Sequence, residues 1–166
     1  MTTLSIGDHI EDFTLRDQYG KLFKSKDYRD KKMVIFFYSK DESVFCTKQA
    51  CAFRDSFSEF IESGVIVPGI NFGEIASHAH FAAENRLPFI LLSDISNMVL
   101  KSFGVKNSHI FSGRETFLID EDGIVRYKYR AFLIVMVTLR KCLSSFIQPA
   151  YKMSISRLHL SRVLNH

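Results

Sequence analysis

Tryptophan is absent from this chain of 166 residues, and cysteine is scarce, with three in all. Three thiols are too few for a disulfide scaffold, so a reducing compartment, taken as cytoplasmic, is the expected setting. No apolar run approaches the roughly 20 residues that cross a bilayer, so no membrane association is expected. The opening stretch, Met1 to Asp8, lacks the basic-then-apolar layout of a secretory signal. Acidic residues are missing from one long stretch. Residues 131–166 hold Arg140, Lys141, Lys152, Arg157 and Arg162 and no Asp or Glu. Taking these five from the 22 basic residues leaves 17 against 18 acidic ones. The net charge of +4 therefore belongs to the tail, and the remainder is near −1. No basic stripe with interleaved aromatics occurs in residues 1–130, which argues against nucleic acid as a partner.

Hydrophobic content of 46% and charged content of 24% suit a globular domain able to bury a core, and sixteen Phe point to a Phe-rich one. Met33 to Tyr38 is a continuous apolar run of β-formers, as in a strand buried on both faces. From Cys46 to about Ser63, Ala50, Phe53, Phe57, Phe60 and Ile61 recur at helical spacing, with Gly64 as the stop. Val65 to Ile70 reads as a strand, Glu74 to about Asn85 as a helix ending before Pro88, and Phe89 to Leu92 as a strand. Ile95 to Phe103 reads as a short helix closed by Gly104. Residues 116–120 and 124–129 flank Glu121-Asp-Gly123, a hairpin turn. This order predicts an α/β domain, a mixed central sheet with helices on both faces. The domain is expected over residues 1–130. Residues 131–166 form an atypical basic tail that either completes the same domain or stands apart.

The chemistry concentrates in Cys46-Thr-Lys-Gln-Ala-Cys51, which follows the loop Ser39-Lys-Asp-Glu-Ser-Val-Phe45. A thiol at a helix N-terminus lies near unpaired N–H groups and the positive end of the helix dipole. Both favour the thiolate, which is the nucleophile. Cys51 is close enough in sequence to capture what Cys46 becomes. The bland alternative is a pair of inert buried thiols. A zinc site is disfavoured, because no second Cys or His pair stands at ligand spacing. His78 and His80, two apart on a helix, point about 200° apart and cannot share an ion. They read as surface or helix-edge histidines. Asp120, Glu121 and Asp122 are explained by the hairpin turn, Ser43 alone lacks a base that would make it a nucleophile, and Cys142 reads as an incidental thiol.

Five collinear stretches resemble the peroxiredoxin family, Q type (bacterioferritin comigratory protein): residues 7–17, Phe37 to Ser43, Cys46 to Asp55, Leu87 to Asp94, and Gly113 to Asp120. The resemblance covers about residues 5–130. It implies a thioredoxin-like fold and reduction of hydrogen peroxide and organic hydroperoxides, without metal or cofactor. It also implies Cys46 as peroxidatic cysteine, Cys51 as resolving cysteine, Ser43 as a hydroxyl contacting the peroxide, and Arg114 as the arginine that holds the thiolate. A thioredoxin-like dithiol would be the reducing partner, and a monomer is expected, with a dimer as the alternative. The rival reading is a catalytically weak redox sensor or partner-binding module. A thioredoxin-like disulfide reductase is disfavoured by the spacing of the two cysteines.

Three departures from the resemblance stand out. Ser39 replaces a family Pro, which should loosen the loop. Val44-Phe45 replaces Pro-Gly, which should crowd the entrance or disfavour a backbone angle that Gly accepts. The tail after Arg130 does not look like the family, since Ala131 to Val137 is apolar on every face. Finally, five residues along a helix give about 7.5 Å of rise and about 140° of rotation. That exceeds the roughly 7 Å Cα separation that a disulfide bridges, so the first turns of the helix must unwind if Cys46 and Cys51 join.

Overall fold

The computed structural model describes residues 3–106 and 114–130, all within one compact unit, Met1–Val135. The expectations for the tail and for Cys142 fall outside these residues. The strands are β1 (Thr14–Asp17), β2 (Leu22–Lys24), β3 (Met33–Phe37), β4 (Gly69–Asn71), β5 (Leu91–Ser93), β6 (Thr116–Ile119) and β7 (Val125–Tyr129). The helices are α1 (Val44–Asp55), α2 (Phe57–Glu62), α3 (Ile75–Glu84) and α4 (Met98–Ser102). The strands form one sheet in the order β2-β1-β5-β4-β3-β6-β7. Its centre, β5-β4-β3, is parallel, and an antiparallel hairpin flanks it on either side. The sheet is mixed, as its sequence predicts.

β3 is buried along its whole length, which accounts for its unbroken apolar run. Because side chains alternate, its two faces receive different helices. Phe36 stacks on Phe53 of α1 with ring centroids 4.3 Å apart, and Tyr38 stacks on Phe81 of α3. Met33, Ile35 and Phe37 point the other way, into a cluster with Val99 and Leu100 of α4, Phe103 and Phe117. Helices therefore cover both faces, and much of the core is phenylalanine. Gly69 lets Phe36 lie flat across β4, since a Cβ there would come within 2.5 Å of that ring.

Four local expectations are corrected. The helix foreseen from Cys46 to Ser63 is two helices. Its backbone leaves helical geometry at Ser56 (φ −103°, ψ 8°), next to Asp55, and both residues compete poorly for helix interiors. The strand foreseen at Val65 begins only at Gly69. Residues 65–68 meet β3 through an isolated bridge, Met33 to Ile66, and a bond from Phe36 N–H to Pro68 O, and Pro68 has no N–H to give a ladder. The strand foreseen at Phe89 likewise begins two residues later, at Leu91, and the helix foreseen from Ile95 begins at Met98. The β1–β2 hairpin, unforeseen, is closed by Gly20 at φ +79° and by Asp17, whose side chain accepts from the N–H of Tyr19 and Lys21.

Replacing Phe53 by Ala removes the ring that Phe36 stacks upon. It is expected to destabilise the domain by about 3–5 kcal/mol, read as a lower urea midpoint by circular dichroism. An unchanged midpoint would contradict this account of the core.

Candidate active site

β3 ends at Phe37, and the chain turns at once into the polar loop of residues 38–43 before entering α1. Glu42 adopts φ +59°, a left-handed conformation uncommon outside glycine, and this turns the chain into the helix. Ser43 is the N-cap, its Oγ accepting from Cys46 N at 3.3 Å. Val44, Phe45 and Cys46 then form the first turn, so Cys46 lies three residues past the cap. Phe45 takes this helical place without a positive φ, which removes the concern about its backbone angle.

Cys46 is 1% exposed, and its sulfur faces the loop. Burial pushes the thiol up. Hydrogen bonds from the hydroxyls of Ser39 and Ser43 and from the backbone N–H groups of Lys40 and Ser39 outweigh burial and hold Cys46 below the ordinary thiol range. Ser39 Oγ is 3.4 Å from Cys46 Sγ, and Arg114 Nη2 donates to the same Oγ at 3.4 Å. Ser39, expected to loosen the loop, is instead tied at both ends. Arg114 lies 68 positions from Cys46 in sequence but is brought to it by β6. Phe37 N donates to Glu115 O at 2.8 Å, and the buried Glu115 carboxylate is fixed by Lys128 and Arg130. The guanidinium also sits over the Phe45 ring, 5.4 Å from its centroid.

Of the four residues predicted for the site, Cys46, Ser43 and Arg114 converge around one sulfur. Cys51 lies further along α1, half-buried, with Sγ 4.0 Å from Asn85 Oδ1 at the end of α3. Arg54 ties the same helix to Asn85 O at 2.9 Å. Both cysteines are free thiols on one continuous helix.

Sequence reasoning missed what holds the loop. Asp41 is buried, and four side chains donate to its carboxylate: Tyr38 Oη at 2.8 Å, Asn71 Nδ2 at 3.3 Å, Ser77 Oγ at 2.6 Å and His78 Nδ1 at 2.8 Å. One acidic side chain thus ties the loop together through Tyr38 and pins it to β4 and α3. Burial raises the Asp41 carboxyl, and the hydrogen bonds of His78 and Ser77 lead in overturning that, so it lies below its ordinary value. Burial pushes the Tyr38 phenol well above its ordinary value, with the charges of Asp41 and Cys46 adding to the effect. Tyr38 therefore keeps its proton and donates it. His78, read from sequence as a surface or helix-edge residue, is fully buried, because α3 turns that face toward the loop. Of these two histidines, His80 is the exposed one. With Glu42 and Glu84 it forms the one group of three possible metal donors among the described residues, all at the surface. Exposed ion pairs at 3.6 Å account for that grouping.

A model of the AhpC/TSA family matches residues 6–128. The chain belongs to that family. It is 45% identical over 129 residues to peroxiredoxin Q, chloroplastic, of Triticum aestivum, covering 76% of this chain and 59% of that protein. The chain thus spans under two thirds of the length of that curated relative. Among solved structures, peroxidoxin BcpB of Mycobacterium tuberculosis superposes with a TM-score of 0.79 at 31% identity, over 87% of this chain and 97% of that one. A PrxQ cysteine mutant of Xylella fastidiosa gives 0.81 at 23% identity, over 90% and 99%. The fold is the thioredoxin-like fold of these peroxiredoxins.

Asp41 yields a prediction with a sign. Its folded value is depressed, so its contribution is fully present above the unfolded carboxylate value near pH 4 and is lost as pH falls through the folded one. Wild-type stability should therefore fall in acid, and Asp41→Asn should lack that component while losing about 2–3 kcal/mol at neutral pH. Urea titrations across pH would show both; equal acid profiles would contradict the assignment. Gly73→Ala should strain the same cluster, since its Cβ would lie 2.8 Å from both Asn71 Oδ1 and His78 Cε1.

Proposed function

We propose that this chain is a thiol-dependent peroxidase that reduces hydrogen peroxide and organic hydroperoxides. The observation that carries the proposal is the set of donors around Cys46 Sγ at the first turn of α1, with the Arg114 guanidinium one hydroxyl away. Cys46 thiolate attacks one peroxide oxygen. The S–O bond forms as the O–O bond breaks, the leaving oxygen takes a proton and departs as water or alcohol, and Cys46 becomes a sulfenic acid. The thiol of Cys51 then displaces the sulfenic hydroxyl, which leaves as water, and a Cys46–Cys51 disulfide forms. A thioredoxin-like dithiol reduces that disulfide by exchange. The cycle needs no metal or organic cofactor.

The continuity of α1 through both cysteines makes opening part of this cycle. The first turns must unwind, and Cys51 must leave Asn85. Thr47 and Lys48 give little apolar anchorage, whereas Gln49 and Ala50 are buried, so the opening has to draw those two out of the core. The need for a dithiol partner supports a reducing compartment, taken here as the cytoplasm, and the unit is taken as a monomer. The sensor reading draws on one feature: with Cys46 buried and Cys51 not adjacent, resolution that fails to occur would leave an oxidised, non-turning-over protein.

Stopped-flow peroxide consumption in the presence of a dithiol protein separates the two readings. Multiple turnovers are expected, and none with Cys46→Ser; a single oxidation without turnover would favour the sensor. Intact mass after one equivalent of peroxide should show loss of two hydrogen atoms per chain. In Cys51→Ser that loss should be replaced by the gain of one oxygen. A wild-type chain that gains oxygen instead would rule out the intramolecular route.

A further inference from the structure

We propose that Ser39 is a further residue of the peroxidatic site, its hydroxyl coupling the Arg114 guanidinium to Cys46 Sγ. This rests on the peroxidase reading of Cys46 but not on the identity of the peroxide or the reductant.

Proton counting gives the direction of the coupling. Arginine has donors only, so Ser39 Oγ is the acceptor in its 3.4 Å contact with Arg114 Nη2. The single hydroxyl proton is then left for the sulfur, also 3.4 Å away. With the sulfur deprotonated, every group is satisfied in series: guanidinium to hydroxyl, hydroxyl to thiolate. With the sulfur protonated, the same hydroxyl faces only a neutral thiol, a weak acceptor, and the charge-assisted bond is lost. The arrangement therefore favours the thiolate, and each bond in the chain polarises the next. Residue 39 contributes twice, because its backbone N–H also donates to Cys46. A proline at this position would offer neither donor.

Position supports the same role. Ser39 follows directly on Tyr38, whose hydroxyl is locked to the buried Asp41 carboxylate at 2.8 Å. The Ser39 side chain is thus carried on a fixed backbone, ready before any substrate arrives. Ser43 also bonds the sulfur, but its Oγ caps α1 as well. Changing Ser43 would confound sulfur chemistry with helix stability, whereas changing Ser39 touches no cap. A hydroxyl that stabilises the thiolate also withdraws charge from it. Nucleophilicity falls with basicity at a slope of about 0.4–0.5, so Ser39 favours more thiolate that is individually less reactive. A residue with a purely structural role would not leave that double signature.

The test is the rate at which iodoacetamide alkylates Cys46 as a function of pH, followed on the Cys46 peptide by mass. In S39A the midpoint should rise by about one pH unit, the size of one hydrogen bond to a charged group, and the high-pH plateau should rise about threefold. Ser39→Thr and Ser39→Val have the same shape and differ in the hydroxyl. Thr should keep the wild-type midpoint, and Val should move with Ala. This pair decides the matter if S39A does not fold. A wild-type midpoint in S39A or S39V, or Thr and Val shifting together, would overturn the proposal. The readout needs no peroxide, so a wild-type chain that consumes none would sink the peroxidase reading and leave this result standing.

Discussion

A buried sulfur that carries charge must be surrounded by donors, and the rest of the site follows from that requirement. Burial alone would push Cys46 toward the inert thiol. Here the hydroxyls of Ser39 and Ser43 and the N–H groups of Lys40 and Ser39 reverse the effect. All of them belong to one short loop, so the state of the sulfur depends on the shape of that loop. Its shape depends in turn on Asp41, whose buried carboxylate gathers donors from the loop's own Tyr38, from β4 and from α3. The sheet sets these distances. Parallel β3 and β4 bring Asn71 under the loop, and antiparallel β6 delivers Arg114 beside it.

The same helix that activates Cys46 keeps Cys51 away from it. A continuous α1 gives Cys46 the N-terminal turn and gives Cys51 a seat against Asn85. A thiolate stabilised by a fixed loop and a disulfide that demands an opened helix are competing requirements. The loop is held through Asp41, and the far half of the helix through Arg54 and Asn85. In the proposed cycle, local opening of the turn between Cys46 and Cys51 is the conformational step on which resolution would depend.

What was legible in the sequence was what is local. The buried run of β3, the periodicity of α3, the hairpin around Gly123 and the spacing of Cys46 and Cys51 each lie within a dozen residues. Arg114 and Ser43 became visible only through resemblance, because no local pattern links them to Cys46. The β1–β2 hairpin escaped because its strands are short and half-exposed, and the break at Ser56 escaped because apolar spacing continues across it. The loop-holding cluster was illegible for a different reason. Nothing in Ser39-Lys-Asp-Glu-Ser43 says that Asp41 is buried, or that His78, thirty-seven positions away, turns inward to meet it. The sequence marks Ser39 only as a departure from the family, because the value of its hydroxyl depends on the fold placing Arg114 on one side of it and Cys46 on the other.

The central claim is that the loop's donors converge on Cys46 and hold its thiol below the ordinary range. Thiolate ultraviolet absorbance, taken as the difference between the wild type and Cys46→Ser across pH, measures this directly. The account predicts a transition below the roughly 8.5 of an ordinary cysteine. A transition at or above that value would contradict it.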